Sequence, residues 1–461
     1  MAGPGRPCVD LPLAAIQSRR VVHDNIVDFS RGKQLSDRLR KIVPGGCHTY
    51  AKGDDQYPEL APPLIARGRG CHVWDVDDNE FIEYGMGLRA VTLGHAYPPV
   101  VAAVAAALDR GTNFTRPAID ELSCAEAFLA LFPGAEMVKF TKDGSTATTE
   151  ALKLARAYTG REMVAVCAEH PFFSYDDWFI CSTSADAGIP RTTQLQTATF
   201  HYNDLESLRS LFTAHPGKIA AVFLEPARID EPAPGFLDGV VALCRSEGAV
   251  CVFDETITGF RWHLHGAQGL YGVVPDLSIF GKAMANGFSQ SALVGKRDIM
   301  RLGSRERAGD SVFLLSTTHG AETPALVATM ATLEVYRREP VIEHLHRAGE
   351  RIAEGLRQAA VRHGVAGHVA PIGRPCNLFF VTRGPDGQPS QPYRTLFLQE
   401  LIRRGVLGPS FVTSYSHSDE DIDRSIDAID GALQIYARAL TGRIESYLVG
   451  SPSRPVFDRR K

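Results

Sequence analysis

The sequence predicts an α/β protein: a large domain on a mixed, mostly parallel sheet flanked by helices, with a smaller α+β domain from the two ends of the chain. Three observations predict it. Apolar runs of strand length alternate with runs of helix length from about residue 120 to residue 290. At 461 residues the chain exceeds a usual single domain. An apolar, β-branched run, Ala249 to Phe253, ends in an acid, Asp254, placed where the open end of such a sheet meets its ligand. The expected division is 1–110 as an N-terminal part of the small domain, 111–325 as the large domain and 326–461 as the C-terminal part of the small one.

In chain order, residues 1 to about 30 read as an irregular leader and Asp28 to Ile42 as a helix stopped by Pro44-Gly45-Gly46. Gly70 to Tyr84 alternates apolar and polar around Asp77-Asp78-Asn79, which predicts a hairpin with an acidic turn. Pro98 to Leu108 opens with prolines and runs on in alanine, valine and leucine as a buried helix. The alternating region follows: helix Glu121–Leu131, strand Met137–Thr141, helix Thr148–Tyr158, strand Met163–Cys167, helix Leu205–Phe212, strand Ala220–Leu224 and helix Val240–Glu247. After Ala321 a helical run, TPALVATMATLEVYRR, leads to helices and a few strands, Asn377 to Val381 among them.

Composition narrows the function. A net charge of −4 and a pI near 6.4 disfavour a nucleic-acid surface, which would want a basic excess. The nine cysteines form no C-x-x-C pair, which argues for a reduced compartment and against a zinc site or other metal. The first residues carry no apolar core of signal-peptide length, and nowhere do eighteen consecutive apolar residues occur, so a cytoplasmic protein is expected.

The chemistry starts from Asp254 and Lys282. Pro275 to Phe280 reads as a second short strand closing on Gly281 and Lys282, so the acid and the lysine can reach one site. Alone, each is an ordinary strand-end cap or solvated turn. Together, a lysine beside apolar groups that forms a Schiff base and an acid that holds a protonated pyridine nitrogen suggest pyridoxal phosphate. On the phosphate side, Val138 to Thr141 runs through Lys142-Asp143-Gly144-Ser145-Thr146 into a helix. Its free N–H groups and positive dipole end suit a phosphate, with Ser145 and Thr146 as hydroxyl donors. Phe172, in His170-Pro-Phe172-Phe173, follows one strand and could stack on a planar ring, while Glu225 follows another in the same topological position as Asp254.

The order of these motifs resembles the class III aminotransferases of fold type I, and looks most like the glutamate-1-semialdehyde aminomutase branch. The matching stretches include Val43-Pro-Gly-Gly, His72 to Tyr84, Leu93-Gly-His95, the turn at Gly144, Ala155 to Arg161, Phe253 to Arg261, Pro275 to Lys282 and His417 to Asp423, over about residues 28 to 440. The resemblance implies that Lys282 carries the cofactor and shuttles a proton, and that Asp254 keeps the ring nitrogen protonated. It also implies that Gly144 and Ser145 hold the phosphate of pyridoxal 5'-phosphate (PLP, or PMP in its amino form), that Phe172 and Thr256 flank the ring, and that Glu225 lies beside them. Thr318 matches a threonine that reaches the neighbouring subunit's phosphate, which implies a homodimer.

The departures lie on the substrate side. Gly87-Leu88-Arg89 replaces a Ser-Trp-Gly pocket segment, Pro409 replaces a pocket glutamate, and the apolar ring-packing position is Thr256. The carboxylate-binding arginine after Pro-Gly-Gly is missing, with Lys52 the nearest cation. Tyr50, Lys52 and Arg89 are the candidate substrate contacts, and Asp177 to Pro190 a candidate lid. Lost pocket contacts threaten an aminomutase more than a simple transaminase. The expected function is therefore transfer of an amino group from a small-molecule donor to an aldehyde or ketone of a sugar-like or specialised-metabolite acceptor. The alternatives are glutamate-1-semialdehyde 2,1-aminomutase and a catalytically silent PLP-binding protein.

Overall fold

The computed structural model describes residues 28–304 and 311–454. The expected leader lies almost wholly outside the described residues. Seven strands form the central sheet: β1 (Met137–Thr141), β2 (Met163–Cys167), β3 (Thr197–Phe200), β4 (Ile219–Leu224), β5 (Val250–Asp254), β6 (Leu277–Phe280) and β7 (Ser291–Gly295). Their spatial order is β1-β7-β6-β5-β4-β2-β3. Neighbours from β6 to β3 pair in parallel, while β7 runs against both β1 and β6. Every residue of β4 and of β5 is buried, as helices on both faces require of central parallel strands, which is why both read as unbroken apolar runs.

Sequence reading missed β3 and β7. Thr197-Ala-Thr-Phe200 is short and half polar, and Ser291-Ala-Leu-Val-Gly295 begins and ends in small residues that weaken a strand signal. The helix at Pro98–Leu108 forms as expected but is not buried. It packs one face, Val100, Val104 and Ala107, towards the Thr323–Arg338 helix and leaves Val101 45% exposed, because a single neighbour covers one side only.

A second layered unit assembles from both chain ends. The expected hairpin pairs His72–Asp75 with Glu80–Glu83, and Asp75 Oδ1 fixes its acidic turn by accepting from the backbone N–H of Asp77 and of Asn79 at 2.9 and 2.8 Å. Val406–Leu407 adds a parallel strand to Glu80–Glu83. The long helices Val341–Arg362 and Asp419–Leu440 pack together over this unit, burying Ile352, Leu356, Leu396, Ile429 and Leu433 in one core. Asn377 belongs to a 3₁₀ turn, and the strand after it starts at Phe379, two residues later than expected. No helix among the described residues is long and apolar enough to cross a membrane.

Candidate active site

The register of the parallel strands builds the site. Leu224 of β4 pairs with Phe253 of β5, so Glu225 and Asp254 leave the sheet side by side, and Asp254 pairs with Ile279 of β6, two residues before Gly281. The carboxyl edge of the sheet therefore brings Glu225, Asp254 and Lys282 together, where α/β sheets bind ligands. Burial holds the Lys282 ammonium down to about 8, against the pull of Asp254 and Glu225. Burial likewise raises Glu225 to about 7, opposed first by Arg228, and raises Asp254, opposed first by the Thr256 side chain and then by a hydrogen bond from the Thr256 backbone N–H at 2.9 Å. The backbone N–H of Glu225 donates to Nδ1 of His170 at 2.9 Å, which fixes the start of the Glu225 loop.

Lys282 itself has φ +45°, a left-handed backbone that costs a non-glycine residue about 1 kcal/mol. Asn286 ends the same short turn. Its Oδ1 accepts from the backbone N–H groups of Thr92 and Leu93 at 3.0 and 2.9 Å, and its Nδ2 donates to the Gly94 carbonyl at 3.0 Å. The segment that carries Arg89 is thus tied to the turn that carries Lys282. That segment is itself strained: Met86, Gly87, Leu88 and Arg89 have φ of +43°, +57°, +57° and +73°, one full turn of left-handed helix. The Arg89 guanidinium donates to Asn377 Oδ1 at 2.7 Å and Ser410 Oγ at 3.1 Å and lies 5.0 Å from the Phe379 ring. Burial, with Arg261 and Arg228 nearby, lowers its proton affinity to about 10.

The phosphate-side helix begins at Gly144, four residues earlier than expected, and its cap is Asp143, which accepts from the Thr146 N–H at 2.8 Å. The Thr146 hydroxyl is engaged by Asp143 and Tyr175, so it is not available as the expected free donor. Gly144 and Ser145 remain as first-turn residues whose amides have no intrahelical acceptor. A side chain on Gly144 would come within 3.3 Å of Thr256 Oγ1, and one on Gly281 within 3.3 Å of Thr256 Cγ2. Thr256 therefore fills the space between the helix start and the lysine turn, with its Oγ1 buried and its side chain acting on the Asp254 carboxylate. An amine, a carboxylate, a helix N-terminus and a buried hydroxyl fit a group carrying an aldehyde, a ring nitrogen and a phosphate.

Phe172 follows β2 with 41% of its surface exposed, edge-on to Phe179 at 5.9 Å, while Phe173 is buried. Thr318 is exposed, its carbonyl accepting from Asn113 Nδ2 at 3.0 Å, on a segment tied to the Lys142 turn through the 2.6 Å Lys142–Glu322 ion pair. Tyr50, 70% exposed, and Lys52 lie on a separate 3₁₀ turn near the N-terminus, and no hydrogen bond or ion pair links either to Lys282, Asp254 or Arg89. Arg261 is fully buried and, instead of a salt bridge, spends its Nη donors on the carbonyls of Ile257 and Arg89 and the Thr92 hydroxyl, while its Nε has no partner. The candidate lid is anchored, since Trp178 and Phe179 are core residues and Trp178 Nε1 donates to Thr149 Oγ1 at 2.8 Å. Sequence reading missed Arg228, Asn286 and Asn377, which meet the site only through the tertiary fold.

The family profile "Aminotransferase class-III" matches residues 53–433. The glutamate-1-semialdehyde 2,1-aminomutase of Desulfitobacterium hafniense (strain DSM 10664 / DCB-2) is 32% identical over 425 residues, 86% of this chain and 96% of that protein. Among solved structures, the PLP internal aldimine form of the Sphingopyxis sp. MTA144 FumI protein superposes with a TM-score of 0.83 at 27% identity, over 92% of this chain and 99% of that one. An omega-transaminase from Sphaerobacter thermophilus gives 0.79 at 25%, over 89% and 98%.

Proposed function

The chain belongs to the class-III aminotransferase family and uses pyridoxal phosphate, and from that premise we propose that it moves an amino group from a small-molecule donor to an aldehyde or ketone of a sugar-like or specialised-metabolite acceptor. One observation carries the substrate side of this reading: the wall beside Lys282 is polar, with Arg89 held between Asn377 and Ser410 where the sequence departs from the aminomutase pattern. Such a wall suits an oxygen-rich substrate.

In this reading Lys282 holds the cofactor, Asp254 faces its ring nitrogen, Gly144 and Ser145 hold its phosphate, and Phe172 and Thr256 flank its ring. Bound there, pyridoxal phosphate supplies an electron sink for the carbon that loses a proton. Lys282 does the rest of the acid–base work: burial lowers its ammonium to about 8, so that above this pH its free amine is able to take that proton and return it two atoms away. Glu225, buried with Oε2 unpartnered, is placed to accept from a substrate hydroxyl or ammonium. The exposed apolar residues Val101, Leu108, Phe114, Ile119 and Leu122 support a homodimer, with Thr318 reaching the partner's site.

Purified protein should be yellow, and borohydride should fix the cofactor to Lys282. Half-reactions with a panel of amino donors, followed as loss of the near-visible band, test transfer. Loss with no donor on the panel points to a silent PLP-binding protein. Formation of 5-aminolevulinate from glutamate-1-semialdehyde without any external donor favours the aminomutase, the second reading, which the 32% identity supports. Full turnover by Lys282→Ala refutes both enzymes.

A further inference from the structure

The basic groups around Lys282 outnumber their acidic partners. Arg89, Arg228, Arg261 and Lys282 surround two buried carboxylates, Asp254 and Glu225. Arg261 belongs to the scaffold, its Nη atoms given to carbonyls and a hydroxyl, although its Nε too is buried without a partner. Arg89 and Arg228 remain. Neither is ion-paired with a carboxylate among the described residues: Arg89 has only the neutral partners Asn377 and Ser410, and Arg228 has one long contact, Nη1 to the Glu169 carbonyl at 3.4 Å. The Arg228 Nε is buried without a partner, and so is Nδ2 of Asn377, a side chain with no solvent exposure. Buried N–H groups left this way are costly unless an acceptor arrives. The left-handed turn at Met86–Arg89 adds strain at the same place, which the tie through Asn286 sustains.

We propose that Arg89, Arg228 and Asn377 form a carboxylate-binding wall for the substrate, replacing the arginine that the family carries after Pro44-Gly45-Gly46 and this chain lacks. The planar guanidinium of Arg89 and the amide of Asn377 that orients it present in-plane donors, which match a planar carboxylate better than a tetrahedral anion. The acceptor is then an acidic, oxygen-rich carbonyl compound. This assignment rests on the aminotransferase reading and sharpens its substrate.

The test is binding, which needs no turnover. The yellow holoenzyme is titrated with glutarate, inorganic phosphate and glycerol, and the near-visible band and thermal midpoint are followed. Glutarate should shift both, more tightly than phosphate, with no effect from glycerol. Arg89→Met and Arg228→Met should each weaken glutarate at least about tenfold, Asn377→Leu less, with cofactor content unchanged and Arg228→Lys recovering part of the loss. Equal affinity across the variants, tighter phosphate binding, or loss of cofactor from Arg228→Met each overturn the assignment, the last because the guanidinium would then serve the cofactor. Failure of the aminotransferase reading shows separately, in the amino-donor panel.

Discussion

The backbone N–H of Thr256 donates to Oδ1 of Asp254 at 2.9 Å, so the residue that positions this carboxylate also brings a buried hydroxyl to the start of the Gly144 helix. Valine at position 256 keeps the backbone donor and the β-branched shape but removes the hydroxyl. The expected outcome of Thr256→Val is an unchanged thermal midpoint of the apoprotein and cofactor affinity about five- to tenfold weaker, ~1 kcal/mol. Thr256→Ser should restore most of it. Titration of apoprotein with pyridoxal phosphate reads both, and identical affinity in the valine variant assigns the hydroxyl no part in binding.

Asp254→Asn should keep the cofactor but lose turnover by roughly 10²–10³-fold, because a neutral amide cannot balance a positive ring nitrogen in a buried site. Retained absorbance with collapsed single-turnover rates is the expected pair of readings. Loss of cofactor with normal rates in the remaining holoenzyme contradicts the role given to Asp254.

Glu225 and Lys282 make the stability of the apoprotein depend on pH in opposite senses. Glu225, raised from 4.5 to about 7, stays protonated in the folded state where the unfolded chain has lost the proton, so its contribution declines as pH rises from about 4.5 to 7. Lys282, lowered from 10.5 to about 8, is neutral in the folded state while the unfolded chain holds the proton, so stability climbs as pH rises from about 8 to 10.5. The part of the stability profile that disappears in a Glu225→Gln, Lys282→Met double variant should have its minimum between about pH 7 and 8. A maximum there indicates a true internal ion pair instead.

Asn286→Ala strands two backbone N–H groups and a carbonyl that its side chain now satisfies, at a residue with φ +44°. A loss of ~2–4 kcal/mol is expected from these orphaned groups. Denaturant midpoints measure it, and substrate affinity should fall with it, since Arg89 hangs from the same tie.

The proposed cofactor half of the candidate site was legible as a cluster because its residues stand at strand ends, where chain order alone sets the neighbours: the acid that ends β5, the glycine and lysine after β6 and the turn after β1 follow from the period of the sheet. The substrate half was not. Asn377 reaches Arg89 across 288 positions, and Arg228 becomes informative only when the fold shows it near Glu225 without an ion pair to any carboxylate among the described residues. The strand β7 hid for a different reason, since its small residues pack well inside a sheet yet carry little apolar signal. The helix at Pro98–Leu108 misled because composition reports how apolar a helix is and not how many sides are covered.

Lys282 occupies a backbone conformation that glycine would adopt freely. Lys282→Gly would therefore relieve about 1 kcal/mol of strain and remove a buried amine, against the greater freedom of glycine in the unfolded chain and the cavity left behind. In the proposed reading, this strained position is held by the residue whose amine the reaction needs.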